Sequence, residues 1–321
     1  MRDDTRLRIR NSGVAGARRT QAEQSGVSVP YRVATSEERR FYRDVLYPLQ
    51  DRILAIAGEY GDELVLTGGT ALARCYFGHR YSDDIDLFSA SSHAGELGRD
   101  LMNALERGGL RVETITANPG FLRAYVCDAS VRIPVDVAPD QPRIEAALVS
   151  ALGVHVHALR DIAANKIGAF ENRSEAKDAV DLFYLARRFS WTQMFDDAER
   201  KRIPIAYEDL QHFLEQPLSG RALLAKPIDD GQFGSFVDNL RHEITEEIKK
   251  KVVEYRRLLP TLVADLLWDT PPESRTINEA TRPVLARRAA QLPLPARTAL
   301  LGALAAQPLP SGASLPMSST L

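Results

Sequence analysis

The stretch that decides the fold covers residues 67–88 and reads Thr-Gly-Gly-Thr-Ala-Leu-Ala-Arg-Cys-Tyr-Phe-Gly-His-Arg-Tyr-Ser-Asp-Asp-Ile-Asp-Leu-Phe. An apolar run, residues 64–66, ends at the pair Gly68-Gly69, and a short helical segment follows. A second strand-like piece then contains Asp84 and Asp86. Side chains at positions i and i+2 of a strand point to the same side. Asp84 and Asp86 are therefore predicted to project together, away from the apolar side chains of the same strand.

Two convergent carboxylates beside a glycine turn form a site for a divalent metal and phosphate. Mg²⁺ binds carboxylate and phosphate oxygens and keeps part of its water shell. Glycine lets the backbone approach a triphosphate that a Cβ would block, and the helix start that follows offers free N–H groups to anionic oxygens. The prediction is an NTP site with Mg²⁺ (or Mn²⁺), in which Gly68, Gly69 and Thr70 hold the phosphates. The alternative is a glycine turn beside a solvated acidic edge.

Residues 68–72 followed by residues 80–88 resemble the AbiEii/AbiGii toxin branch of the polymerase-β-type nucleotidyltransferase superfamily, which includes the MenT toxins. The resemblance covers about residues 35–190. It implies an α/β (α+β) fold, in which a small mixed sheet with flanking helices is followed by a helical domain, with the cleft between them. It also implies NTP-dependent transfer of nucleotides to the 3′ end of tRNA, which blocks translation, and an antitoxin protein encoded by a neighbouring gene.

A third carboxylate often joins two-metal phosphoryl transfer, and Asp136 is the candidate. In the predicted strand 131–137, the four odd-numbered positions are Val or Ile, whereas Asp136 lies on the other face. In the resemblance it corresponds to the third acidic position, so Asp84, Asp86 and Asp136 are the expected metal ligands and catalytic carboxylates. An ordinary solvent-facing acid is the alternative for Asp136.

A second cluster lies in residues 161–185. In the resemblance, Lys166 corresponds to a phosphate-binding lysine, Asp178 to a catalytic residue and Asp181 to a nucleotide-binding residue. Asp178 and Asp181 are at positions i and i+3 and share a helix face. Each also has a simpler explanation: Lys166 can extend to the surface, Asp178 can stabilise the helix dipole, and Asp181 can pair with Lys177.

Weaker candidates flank these motifs. Arg80 and Ser82 precede the aspartates and are predicted to line the nucleotide site, with loop packing as an equal alternative. His155 and His157 share a strand face, but no third metal ligand stands at a recognisable spacing. They are predicted to be surface histidines.

The composition is that of a soluble globular protein, and the length is sufficient for two domains. The chain has 321 residues, 44% of them hydrophobic and 26% charged, which is ordinary for a globular protein. No run approaches the roughly 20 apolar residues of a membrane span, and no apolar signal segment stands at the N-terminus. Cys75 and Cys127 have no metal-binding spacing and are expected to be reduced thiols, so the predicted location is cytoplasmic.

Charge and composition suggest four segments. Residues 1–34, with seven Arg and three acidic residues, are predicted to be a disordered basic arm. The resemblance implies that residues 35–160 are the nucleotidyltransferase core and that residues 161–270 are a helical domain that completes the cleft. Residues 271–321 read as a tail rich in Pro, Ala and Ser with one possible helix. An RNA acceptor would have to bind a local basic surface or these arms, and the alternative is that both arms are merely solvated.

Two other functions remain open from the residues alone. The enzyme could transfer a nucleotide to a protein hydroxyl group. The chain could also be a catalytically silent module that binds nucleotides and partners, although the intact Gly68-Gly69 and Asp84-x-Asp86 pairs argue against silence. The sequence does not indicate which NTP is used.

Overall fold

A mixed seven-stranded sheet forms the centre of the protein. The structure, a computed structural model, describes residues 30–173, 175–215 and 218–306. The strand order in the sheet is β4-β5-β6-β3-β2-β8-β7, and strand β1 pairs instead with β9. The bounds are β1 Tyr31–Val33, β2 Val65–Thr67, β3 Ile85–Ser89, β4 Arg111–Ala117, β5 Leu122–Cys127, β6 Arg132–Pro139, β7 Leu148–Val149, β8 His155–Val156 and β9 Ala222–Leu224.

Helices flank the sheet and continue beyond it. They are α1 Ser36–Phe41, α2 Tyr47–Gly58, α3 Gly68–Ala71, α4 Ala94–Arg107, α5 Leu159–Arg173, α6 Ala176–Leu185, α7 Trp191–Arg200, α8 Tyr207–Glu215, α9 Asp230–Arg257, α10 Leu259–Leu266, α11 Arg282–Ala289 and α12 Leu294–Ala306. A π-helical turn joins α1 to α2 and another follows α3. The predicted fold, a small mixed sheet with flanking helices followed by further helices, is confirmed.

The two faces of the sheet differ in polarity because the strands alternate. One face is buried in the central strands and packs against α4, where Gly98 lies so close that an added Cβ would be 2.9 Å from Leu122 Cβ. On β3 the buried residues Ile85 and Leu87 point to this face, and Asp86 on the other face is only partly buried. The opposite face therefore remains available for a site.

The stretch Thr35-Ser36-Glu37-Glu38 has the pattern of a capping box and predicts a helix start, and the N-terminal helix begins there. The Thr35 side chain accepts a hydrogen bond from the Glu38 N–H, and the Glu38 side chain accepts one from the Thr35 N–H. This capping box satisfies two free donors of the first turn. The boundary of the predicted disordered arm is wrong, however, because β1 lies inside it and pairs in parallel with β9. Tyr31 is buried there, and residues 1–29 lie outside the described part of the chain.

The C-terminal segment contains more structure than the single helix predicted for residues 271–321. Both α11 and α12 form, and α12 packs against the long helix α9. Their apolar residues join those of α10 in a small separate core. Most arginines of this segment bind within the fold: Arg288 pairs with Asp269, and Arg282 donates to the Leu304 carbonyl. This part of the predicted basic tail is therefore largely engaged in packing.

The main core is continuous from the sheet into helices α5–α9. The boundary at residue 160 between a core and a helical domain stays a prediction. Within the residues that the structure describes, no helix is both long and apolar enough to cross a lipid bilayer.

Candidate active site

The glycine turn after β2 fits tightly against the aspartate strand. Gly68 has φ +69°, and a Cβ added there would lie 2.2 Å from Asp86 Oδ2. A Cβ added at Gly69 would lie 2.2 Å from the Nη2 atom of Arg80. Distances this short are not tolerated between real atoms, so a side chain at either position would have to displace Asp86 or Arg80. Each glycine thus makes room for a different functional side chain.

The Asp-x-Asp pair has the predicted orientation. In the sheet, Asp86 is paired with Thr67 of β2 on one side and with Asp136 of β6 on the other. Asp84 and Asp86 are both partly buried, whereas Ile85 between them is fully buried. The alternation of side chains along β3 therefore brings the two carboxylates to the open face, close to the glycine turn.

Neighbouring polar side chains fix the backbone around Asp84. Ser82 Oγ donates to Asp84 Oδ1 at 3.0 Å, and Thr70 Oγ1 donates to the Asp84 carbonyl. The buried Gln50 amide donates to the Ser82 carbonyl at 3.1 Å. Thr70 and Ser82, both predicted to contact nucleotide, are thus placed where they position Asp84. Gln50 was not predicted, because an isolated glutamine in an amphipathic helix gives no local signal.

Asp136 lies beside Asp86 but already has a cationic partner. Arg123 on β5 binds it with two hydrogen bonds, one of them from Nε to Oδ1 at 2.8 Å. The Arg123 side chain is 53% exposed, so the pair is open to solvent. The strand register places Asp136 beside Asp86, as the sequence predicts. There the Asp136 carboxylate is paired with Arg123.

The donor set suits a hard divalent cation. Asp84 and Asp86 offer carboxylate oxygens, and Gly68 leaves the Asp86 carboxylate free of a neighbouring Cβ. Among the described residues, no group of three or more His, Cys, Asp or Glu side chains is placed to hold a metal ion. Mg²⁺ commonly needs only one or two carboxylates when substrate phosphates complete its shell. The residues therefore fit a metal that binds together with a triphosphate.

A buried cluster of charges stands behind the glycine turn, and Asp181 is its centre. Arg80 donates to Asp181 through Nε at 2.7 Å and Nη2 at 2.8 Å, and His79 Nε2 lies 2.7 Å from Asp181 Oδ1. Lys166 Nζ is 2.7 Å from Asp181 and 2.8 Å from Asp178. Asp178 and Asp181 are both 0% exposed. Residues about 100 positions apart in sequence are thus joined beneath the site.

The protonation states in this cluster follow from burial and pairing. Burial alone would lower the pKa of Lys166, but Asp181 and Asp178 outweigh it and the pKa is raised. Burial would raise the pKa of Asp181, but Arg80 and Lys166 hold it well below its usual range. Burial lowers the pKa of His79, and this outweighs the opposing effect of the hydrogen bond between His79 Nε2 and the Asp181 carboxylate. At neutral pH the cluster therefore holds charged Lys166, Arg80 and Asp181 with a neutral His79.

A cavity of about 300 Å³ opens between the polar face of the sheet and helix α5. It brings together three predicted site residues, Gly68, Asp86 and Lys166. The rest of its wall was not predicted, since it needs the packing of α5 on the sheet. The lining residues are Thr67, Gly68, Asp86, Phe88, Ile162, Asn165, Lys166 and Ala169.

Of the two histidines predicted to lie on the surface, His155 is half-buried and His157 is buried. His157 is 0% exposed, with Nδ1 3.0 Å from Thr67 Oγ1 and Nε2 2.9 Å from Asp140 Oδ2. Burial would raise the pKa of Asp140, but His157 and Lys201 lower it. The prediction fails for His157 because β8 pairs with β2 inside the sheet. The histidine thereby supports the residue that precedes the glycine turn.

A glycine turn packed against an Asp-x-Asp strand, beside a cavity that suits metal and phosphate, defines a site of the nucleotidyltransferase class. Residues 52–254 match the sequence model of a family described as nucleotidyl transferase AbiEii toxin, type IV toxin–antitoxin system. This match spans more than half of the chain. The chain belongs to the AbiEii nucleotidyltransferase toxin family, and it is an enzyme of that class.

Solved structures give a more distant likeness. MenT4, a nucleotidyltransferase toxin from Mycobacterium tuberculosis, is 17% identical, with 63% of this chain and 83% of that chain covered and a TM-score of 0.46. JHP933 from Helicobacter pylori is also 17% identical, with 67% and 96% covered and a TM-score of 0.43. A putative nucleotidyltransferase from H. pylori is 17% identical, with 66% of this chain and 98% of that chain covered and a TM-score of 0.43. No curated protein matches the chain. The assignment therefore rests on the family match.

Proposed function

We propose that this enzyme is the toxin of a toxin–antitoxin pair and transfers a nucleotide from an NTP to the 3′ end of tRNA. The observation that supports the proposal is the contact between Gly68 and Asp86 at the wall of the cavity. A larger residue at position 68 would strain the backbone and displace the Asp86 carboxylate, whereas glycine leaves space beside this carboxylate for a triphosphate. The antitoxin would be the product of a neighbouring gene.

Asp84 and Asp86 would hold the divalent metal, with Asp136 as a third ligand once Arg123 releases it. When bound, Mg²⁺ or Mn²⁺ supplies positive charge that lowers the pKa of the attacking hydroxyl and neutralises the leaving pyrophosphate. Because the Arg123 side chain is 53% exposed, we propose that it turns from Asp136 to an incoming phosphate. The enzyme's own residues then mainly position the reactants, which is what phosphoryl-type transfer requires.

The backbone at Gly68 and Gly69 is the proposed phosphate cradle, and Lys166 adds positive charge at the cavity wall. Thr70 and Ser82 hold Asp84 in place through the hydrogen bonds described above. Asp181 is buried and already binds Arg80, His79 and Lys166. We therefore assign Asp181 and the equally buried Asp178 to positioning Lys166, in place of the direct contacts that the sequence predicts.

The test is to incubate the protein with each of the four α-labelled NTPs, Mg²⁺, and either purified tRNA or total protein. Label on the tRNA 3′ end, lost with EDTA, is the expected result. Label on protein would support transfer to a protein hydroxyl group. NTP binding without transfer to either acceptor would support the silent binding module. Asp86→Asn, which removes a proposed metal ligand, is the negative control.

A further inference from the structure

The amide of Asn165 is a polar group without a partner at the wall of the cavity. Its Nδ2 atom is buried and has no hydrogen-bond partner in the described part of the chain. A buried donor left unpaired costs about 1–3 kcal/mol, so native proteins rarely keep one without a reason. Asn165 faces the cavity that also holds Asp86 and Gly68. A bound ligand is the natural partner for this amide.

The walls around Asn165 suit a flat ring. Ile162, Asn165 and Ala169 lie at positions i, i+3 and i+7 of α5 and form one helix face towards the cavity. Phe88 lines the opposite side, on the sheet. It is two residues after Asp86 on the same strand face, which is about 7 Å further along β3. The cavity thus has a charged end at Gly68 and Asp86. Its other end is lined by Phe88 and the apolar residues of α5, with the Asn165 amide among them.

Helix α5 is held firmly enough to present that amide. Lys166, the next residue, is anchored by Asp178 and Asp181 in the buried cluster. An asparagine amide also offers both a donor and an acceptor, which matches the polar edge of a nucleobase. Phosphate, by contrast, offers only acceptors and would be served by the glycine turn.

We propose that Asn165 is a specificity-determining residue that hydrogen-bonds the base edge of the bound NTP, with the ring between Phe88 and the Ile162–Ala169 face of α5. The inference rests on the proposed function, since it assumes that the cavity takes an NTP. It adds the residue that selects among the four bases.

The test measures binding of ATP, CTP, GTP, UTP and inorganic triphosphate by calorimetry in the presence of Mg²⁺. The proteins are wild type, Asn165→Ala, Asn165→Leu and, as a matched control, Asn103→Ala on an exposed part of α4. Asn165→Leu keeps the side-chain volume without the amide. Both Asn165 variants should bind the preferred NTP about tenfold more weakly, which is the loss of one hydrogen bond. Inorganic triphosphate should bind as before.

Three outcomes would overturn the inference. An unchanged order and ratio of the four affinities in both variants would show that Asn165 does not read the base. An equal loss for all four NTPs, with triphosphate unaffected, would assign the amide to the ribose. A loss for triphosphate as well would assign it to phosphate binding or to the fold. A wild-type protein that binds no NTP would refute the proposed function itself, and NTP binding without transfer leaves this test intact.

Discussion

Asp86 and Asp181 have the same side chain, but the protein places them in opposite surroundings. Asp86 is partly exposed, lines the cavity and lies where a side chain at position 68 would project. Asp181 is 0% exposed and is bound by Arg80, His79 and Lys166. The first arrangement places a carboxylate at the cavity wall, where the proposed metal and substrate would bind. The second uses the carboxylate to fix cations beneath the site.

The comparison shows why a motif residue need not touch the substrate. Burial of an ion pair is costly, and the mutual attraction only offsets that cost when hydrogen bonds are complete. Asp181 meets this condition through several short contacts at 2.7–2.8 Å. Removing it would leave Arg80 and Lys166 buried without their main partner. Its substitution should therefore affect stability first, whereas substitution of Asp86 should affect chemistry first.

The largest effect is expected from Asp84→Asn and Asp86→Asn. Each replaces a proposed metal ligand by a neutral side chain of the same shape, so transfer should fall about 10³-fold through the lost metal charge. The melting temperature should change little, because neither residue belongs to the apolar core. Single-turnover transfer rates and thermal melts measure the two quantities. Glu113→Gln on the exposed strand β4 is a matched carboxylate control. Near-normal rates in both aspartate variants would end the metal-site proposal.

Asp181→Asn should give the opposite profile. Breaking a buried ion pair from one side costs about 3–5 kcal/mol, because Arg80 and Lys166 would then remain charged and underpaired. The free energy of unfolding, measured with urea, should fall by that amount. The control is Asp44→Asn, which breaks an exposed pair with Arg43 and should leave the melting temperature unchanged. If the Asp181→Asn protein were as stable as the wild type and had lost only NTP affinity, the result would support a direct contact between Asp181 and the nucleotide.

Sequence reasoning succeeded where the information is local. The alternation along β3 predicts that Asp84 and Asp86 share a face, and the Thr35–Glu38 capping box predicts a helix start. Both are confirmed, because each depends on residues only two or three positions apart. The glycine turn was also recognised, although its tight fit against Arg80 was not foreseen.

The buried cluster could not be predicted because its contacts are distant in sequence. His79 and Arg80 meet Asp181 across 102 and 101 positions, and no periodicity records such a pairing. Similarly, β1 and β9 are three-residue strands nearly 200 positions apart, too short to show a pattern. Arg123 pairs with Asp136 only because β5 and β6 lie in register. In each case tertiary packing decided the role of a polar residue.

Substitution of the two adjacent glycines sharpens the comparison within one turn. Gly68→Ala would place Cβ against Asp86 and strain a backbone with φ +69°, so it should reduce transfer more than about 100-fold by moving the carboxylate. Gly69→Ala would press on Arg80, which Asp181 holds in place, and should mainly lower the melting temperature. Transfer rates and melts of both variants decide the matter. If both variants lost activity and stability to the same extent, the surroundings of Asp86 and Asp181 would not have separate roles.

The smallest expected effect is the response of stability to pH. Burial depresses the pKa of His79 below its ordinary 6.5. On acidification His79 is therefore protonated in the unfolded chain while it stays neutral in the folded protein. The free energy of unfolding should therefore fall as pH drops from 7.5 to 5.5. A second loss should follow below about pH 4, where the unfolded chain protonates its aspartates while Asp181 stays ionised.

The variant His79→Gln separates the first step from the second. Glutamine can still donate a hydrogen bond to Asp181 but does not titrate, so the drop between pH 7.5 and 5.5 should shrink by about 1 kcal/mol while the loss below pH 4 persists. Urea unfolding at pH 7.5, 5.5 and 3.5 measures both steps. If the variant loses as much stability at pH 5.5 as the wild type does, the acid sensitivity comes from outside this cluster.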